Sequence, residues 1–490
     1  MQRFFVLLAA CLGLAACGPS DGSGTLNLAI IGDQAGLYTQ GVRLPPGAQA
    51  VRAATEEGLV ALDPAGQVVP ALAERWIITD DGMSYIFRLR DSDWPGGQPI
   101  TASEVRNLLR EVIARTRGTS LGLDLAKIAE IRTMTERVIE IRLTGPMPDF
   151  LRLLAQPELG LVKSGSGAGP MVLARDEEMG VVRLSALPPE ARGQAARENW
   201  QALSRPLALR ALPVERAVKA FANGEVDLVM GGRIQDFPLA RVGPLSRGTI
   251  QVDPAIGLLG FAVMNEKGLL ADPARRQALS MAIERSALTQ PFGLGGWQPS
   301  SWIVPPSAFT EAPYPADRWE GMTLAERRAA AARRIAAWKN ANDGQAARLR
   351  VALPQGPGSD LLLRELARAW GEIGVEVVRV AYSEAPDLEL RDTLARYASP
   401  RWFLNQFHCS LKAGLCSREA DELVRQSLVQ RDSATKERVL AEAHQVLMSA
   451  EVFIPLGAPV RWSLVRSTVR GYQANPWGLH PLFPLSQPDS

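Results

Sequence analysis

Between Glu57 and Arg110 the apolar positions change period twice, and each change marks an element. Tyr85, Phe87 and Leu89 alternate with Ser84, Arg88 and Arg90, the pattern of a half-buried strand. Asp63-Pro64-Ala65-Gly66 predicts a turn behind an earlier strand, and Pro70 predicts the start of a short helix through Trp76. Asp80-Asp81-Gly82 is turn chemistry between two strands. Thr101 stands three residues before Glu104, the spacing of a capping box that opens a helix.

Further along, helix and strand patterns alternate, as they do in α/β proteins. Val214 to Ala222 reads as a helix stopped at Asn223-Gly224 and followed by a strand, Val226 to Met230. Thr323 and Glu326 cap a helix rich in Ala and Arg that ends near Trp338. Arg348 to Leu353 is a strand, Ser359 caps the next helix, Gly374 closes it, and Val375 to Val380 is a second strand. Such a unit implies a parallel pair with a right-handed crossover.

A chain of 490 residues exceeds one core and divides into two or three domains. Its formal charge is +2, with no basic block or aromatic-basic repeat, which argues against a nucleic-acid partner. Gly-x-Ser-x-Gly is spelled at Gly18 to Gly22 and at Gly118 to Gly122, but neither follows a strand pattern as a nucleophile elbow does, and His408, His444 and His480 have no evident nucleophile beside them. The Gly-rich run Gly165 to Gly169 lacks the Lys-Ser/Thr of a phosphate loop. Enzyme chemistry and a resident cofactor are therefore not expected. Two of the four cysteines, Cys409 and Cys416, fall in a polar, turn-rich stretch. An oxidising compartment favours a local disulfide between them; the alternative is a metal site with His408, whose spacing matches no zinc pattern.

The N-terminus supports that compartment. Arg3 precedes an apolar run, Phe4 to Leu14, too short to span a bilayer. Leu14-Ala15-Ala16-Cys17 resembles a bacterial lipobox, with residues 1–16 as signal peptide and Cys17 as the lipidated first residue of the mature chain. Acyl chains at ~0.8 kcal/mol per buried CH₂ would anchor a body carried on the Gly/Ser-rich tether, residues 17–24.

The order of motifs points to a family. Glu57-Gly58-Leu59, Pro70 to Trp76, Asp81-Gly82 with Tyr85 to Arg90, and Thr101 to Val105 stand in sequence. Gly167 to Met171, Gly224 to Leu228, Asp272 to Arg285 and Ile454 to Gly457 follow. Together they closely resemble the family 5 extracytoplasmic solute-binding proteins, the oligopeptide, dipeptide and nickel class that feeds ABC importers. The resemblance implies an α/β, bilobal periplasmic-binding-protein-like fold with hinged lobes and an extra inserted subdomain. Residues 25–45, 165–255 and 470–490 would form lobe I, 46–164 the subdomain and 256–469 lobe II. It also implies a monomer that captures a small, peptide-like solute between closing lobes and presents it to permease subunits. A non-transport scaffold or chaperone-like envelope lipoprotein on the same fold is the alternative.

The site departs from the family. Peptide-binding relatives carry an Asp in the segment where this chain reads Ala395-Arg396-Tyr397, and that Asp holds the ligand's ammonium. An Arg holds a carboxylate or phosphate instead, so Arg396 predicts an anionic group on the ligand. Tyr397, Trp402 and Trp297 are candidate stacking surfaces, with core packing as the alternative for each; Trp76 is assigned to packing.

Overall fold

The computed structural model describes residues 24–176, 178, 180–241, 248–311 and 313–487. The signal peptide, Cys17 and nearly all of the tether lie outside them. Three sheets organise the chain. The first has seven strands in the order Met171–Asp176, Val181–Ala186, Leu207–Leu212, Leu26–Ile31, Leu228–Arg233, Arg461–Val465 and Ile250–Val252. The strand Leu26–Ile31 runs parallel to both its neighbours, Leu207–Leu212 and Leu228–Arg233. Helix Pro46–Thr55 joins this unit, with Val51 and Ala54 in the same apolar cluster as Leu28, Leu209 and Leu228.

The second sheet has five strands, ordered Glu376–Val380, Arg348–Ala352, Leu388–Leu394, Gly257–Val263 and Phe453–Gly457. Arg348–Ala352 pairs in parallel with Glu376–Val380, as the helix between them requires. That helix is Pro357–Gly371, and Ser359 is buried inside it rather than capping it. The third sheet is antiparallel, Ala73–Ile78, Ser84–Leu89, Val138–Leu143 and Ile128–Thr135.

Local patterning succeeds where neighbouring residues decide the structure. The Thr323/Glu326 capping box forms at the head of Leu324–Ala341, and Gly224 ends Val214–Asn223 in the left-handed region at φ 80°. The short helix expected from Pro70 does not form. Strand Val68–Pro70 stops there, and Ala73–Ile78 pairs with Ser84–Leu89 instead. Leu72 and Ala73 are fully buried in that arrangement, so tertiary pairing overrides the helical preference of Ala, Leu and Glu.

Two chain segments also pack differently from the expected division. Arg461–Val465 pairs with Leu228–Arg233 and Ile250–Val252, so the chain re-enters the first sheet by residue 461, not 470. Residues 253–256 and 458–460 are the two links that pass from sheet to sheet. The third-sheet unit shares one apolar cluster with the second lobe, in which Tyr85, Phe87 and Phe150 belong with Trp402, Phe403 and Phe453.

Cys409 and Cys416 are joined, with Cα atoms 5.2 Å apart, so the metal alternative lapses. Cys409→Ser should cost about 2–2.5 kcal/mol through the loop-closure entropy it returns to the unfolded chain. Urea midpoints without reductant measure this; an unchanged midpoint would show that the bridge contributes nothing. Among the described residues no helix is long and apolar enough to cross a membrane, and no group of three His, Cys, Asp or Glu could hold a metal.

Candidate functional site

A cavity of about 320 Å³ lies between the first and second sheets. One wall is the end of Leu228–Arg233, where the ladder to Arg461–Val465 shifts register between Val229 and Gly232. Gly231 bends there at φ +86°, and a Cβ on Gly232 would sit 2.1 Å from the Trp462 ring. Only glycines fit this kink, which brings Arg233 to the cleft. The opposite wall is Asp392 to Arg396, at the end of the strand that pairs with Gly257–Val263.

The charges of the cleft divide into matched and unmatched groups. Arg461 meets Asp392 at 2.7 Å, with both side chains under 10 % exposed. Arg396 donates from Nη1 to Ser120 Oγ at 3.1 Å and lies 3.4 Å from Asp124 Oδ2. The side chain of Arg233 makes no hydrogen bond or ion pair with any described residue. Burial first, and then the neighbouring Arg461, draws its pKa below the usual guanidinium value. Glu158 is 4 % exposed; its Oε1 accepts from Gln49 Nε2 at 3.1 Å, and its Oε2 has no partner. Among the described residues the cavity thus holds one guanidinium, Arg233, and two carboxylate oxygens, Glu158 Oε2 and Asp392 Oδ2, without a hydrogen-bond partner; Asp392 is held by Arg461 through its other oxygen, and Glu158 has no cation. Such groups are costly when buried, and a ligand of opposite polarity at each end relieves Arg233 and Glu158.

Arg396 is brought to this cleft. Tyr397 and Trp402 are not: they are 1 % and 0 % exposed, below the wall, and Tyr397 donates its hydroxyl to Asp124 at 2.9 Å. Both aromatics are core, because the chain turns inward after Arg396 into helix Pro400–Asn405, all six residues of which are buried. Trp297 is half-buried, donates to the Ala458 carbonyl at 2.8 Å and covers Gly457. It lines a separate cavity of about 680 Å³ beside the two links between sheets. The aromatic that does line the cleft is Trp477. Arg233, Glu158 and Trp477 had no local sequence signal, since they meet only when distant segments pack together.

Two sheet-centred lobes, two links between them and a polar cleft define a bilobal binding protein. The chain belongs to the bacterial extracellular solute-binding proteins, family 5, whose model matches residues 67–185 and 208–409. It is a solute-binding protein of the kind that serves ABC importers, and the family is one of substrate-binding rather than catalytic proteins. It is 25 % identical over 479 residues to the probable di/tripeptide-binding protein 5 of Pseudomonas aeruginosa, covering 84 % of this chain and 86 % of the relative. The nickel-binding periplasmic protein of Escherichia coli is 25 % identical over 272 residues, 51 % of this chain and 50 % of the relative. The murein tripeptide binding protein MppA of Escherichia coli has the same fold, with a TM-score of 0.76 at 20 % identity over 94 % of this chain and 97 % of that one. Haemophilus influenzae OppA aligns at 0.75 and 17 % identity, over 94 % and 98 %.

Proposed function

We propose that this protein captures a short, zwitterionic, peptide-like solute, with the ligand's carboxylate on Arg233 and its ammonium on Glu158. Arg396, one-fifth exposed and beside the same cavity, adds positive field near the carboxylate. The observation that carries this reading is that, in one interlobe cavity, Arg233 has no acceptor and Glu158 has no cation, whereas Asp392 is already paired with Arg461. Arg396 in place of the family's acid rules out an ammonium anchor at that position, and Glu158 supplies one across the cleft. Nothing in the cleft suggests chemistry on the solute, so the protein acts by capture and delivery to a permease. A scaffold role would leave these two groups without a use.

The Leu-Ala-Ala-Cys17 motif supports a lipid-anchored, periplasm-facing location, and we take the mature body to be monomeric. Closure of the lobes on the ligand would turn its preference for one conformation into a signal the permease can read.

Calorimetry with trialanine, its N-acetyl form and its C-terminal amide, on protein stripped of co-purified ligand, tests the assignment. Blocking either end should weaken binding at least about tenfold, the scale of a lost charge-assisted hydrogen bond. Arg233→Gln should erase the difference between acid and amide, and Glu158→Gln the difference between free and acetylated amine. Equal binding of all three peptides by the unaltered protein would reject the reading.

A further inference from the structure

A second chamber, of about 480 Å³, adjoins the cleft on the side of the first sheet. Gln49, Gln156, Gly231, Gly478 and Leu479 line both spaces, so a ligand in the cleft can extend into it. Helix Pro46–Thr55 forms one side, and the chain end around Phe483 forms another. Arg192 reaches in from the short turn Glu190–Arg192. That turn is pinned: Gly193 has φ +67°, and a Cβ there would lie 2.3 Å from the Asp91 carbonyl oxygen.

Arg192 is 9 % exposed, and its guanidinium rests over the Phe483 ring at 4.7 Å. Its Nε has no acceptor, and no ion pair reaches the group. The other ionisable groups lining the chamber are engaged. Arg52 pairs with Glu56 at 2.7 Å, Arg90 with Glu57 at 2.6 Å and Arg88 with Glu74 at 2.7 Å. His480 meets Asp253 at 3.1 Å, and Asp63 accepts from the Gln67 amide at 2.8 Å. Glu57 is the carboxylate closest in effect to Arg192, and its Oε2 is already in direct contact with Arg90 at 2.6 Å. A buried cation is thus short of one anion. Burial lowers its pKa accordingly, which marks the arrangement as costly when empty.

We propose that the chamber is an anion subsite, in which Arg192 receives a carboxylate, or a group of like chemistry, carried on the side chain of a ligand seated in the cleft. This rests on the cleft reading above and adds a side-chain preference to it. A planar guanidinium over an aromatic ring is suited to a two-oxygen acceptor, which could engage both Nη groups together.

The test uses tripeptides of Ala carrying one Glu, or one Gln, at each position in turn, with glutarate as a second probe. At one position Glu should bind at least about tenfold more tightly than Gln. Arg192→Gln should remove that preference and leave the affinity for trialanine unchanged, whereas Arg192→Lys should keep part of it. Ala53→Phe, which narrows the chamber from helix Pro46–Thr55, should remove it as well. Glutarate should raise the Tm of the unaltered protein and not that of Arg192→Gln. A Glu preference that survives Arg192→Gln overturns the subsite. So does a protein that shows no Glu preference and no response to glutarate. If trialanine fails to bind while glutarate still acts through Arg192, the peptide reading falls and the subsite stands.

Discussion

Asp124→Ala is expected to lower the stability of this protein by about 3–5 kcal/mol, the cost of removing one member of a buried charged cluster. Asp124 ends the short helix Ser120–Asp124 and is completely buried. Every side-chain partner it has comes from the second lobe. Tyr397 donates to Oδ1 at 2.9 Å, Asn405 Nδ2 donates to the same oxygen at 2.8 Å, and Arg396 approaches Oδ2 at 3.4 Å. Arg401, itself 4 % exposed, donates to the backbone carbonyls of Leu123 and Asp124. The substitution leaves two donors unsatisfied and removes the negative charge that Arg401 stabilises. Burial pushes the Asp124 pKa up, while Arg396 and Arg401 pull it down, so the ionised form depends on both arginines. Asp124→Asn keeps acceptor capacity and should cost less. Urea unfolding followed by tryptophan fluorescence measures both, since Trp402 lies in the shared core. An unchanged midpoint for Asp124→Ala would mean that this cluster does not hold the third-sheet unit to the second lobe.

That cluster also shows where sequence reading stops. The subdomain inserted early in the chain was legible from motif order, because order is a property of sequence. Its docking was not legible, because Asp124 meets Tyr397 and Asn405 across more than 270 residues. The same holds at the chain's return. Ile454 to Arg461 reads as one apolar stretch, yet Phe453–Gly457 serves the second sheet and Arg461–Val465 the first. Only the Ala458-Pro459-Val460 link separates them, and no periodicity marks it. The strand Tyr85 to Leu89 and the caps at Thr101 and Thr323 were readable for the opposite reason. Each is fixed by residues within one turn or one pleat of its neighbours.

The candidate site was legible only in part. Motif register identified Arg396, and it does stand at the cleft. The inference that its charge must face the ligand did not allow for Asp124, which lies beneath it and is remote in sequence. Tyr397 and Trp402 follow Arg396 closely, and proximity along the chain alone makes them candidate ligand surfaces. Helix Pro400–Asn405 buries the Trp402 indole and Asp124 holds the Tyr397 phenol below the wall, so sequence neighbours of a cleft residue become core. Arg233 and Glu158 emerge only when hydrogen-bond partners are counted in three dimensions.

His444 should make the protein less stable as the pH falls below 6.5. The imidazole is fully buried, packed 4.9 Å from the Tyr314 ring and 5.7 Å from Trp302. Its Nε2 accepts from the Val304 amide at 3.4 Å, which requires the neutral form, and its Nδ1 has no partner. Burial chiefly, with Arg318 adding repulsion, pushes its pKa down to about 3. In the unfolded chain the same group titrates near 6.5. Above pH 6.5 both states are neutral there, and His444 gives stability no pH dependence. Below it the unfolded state takes up a proton that the folded state refuses, so the His444 contribution to stability falls by roughly 1.4 kcal/mol per pH unit. The loss should reach roughly 2–3 kcal/mol by pH 4.5 and continue until about pH 3. His444→Gln keeps a polar, uncharged side chain and should flatten the slope between pH 6.5 and 4.5, even if it lowers stability at neutral pH. Urea midpoints of the two proteins across that range decide the matter. Parallel curves would place the acid sensitivity in other groups and show that His444 is protonated without cost.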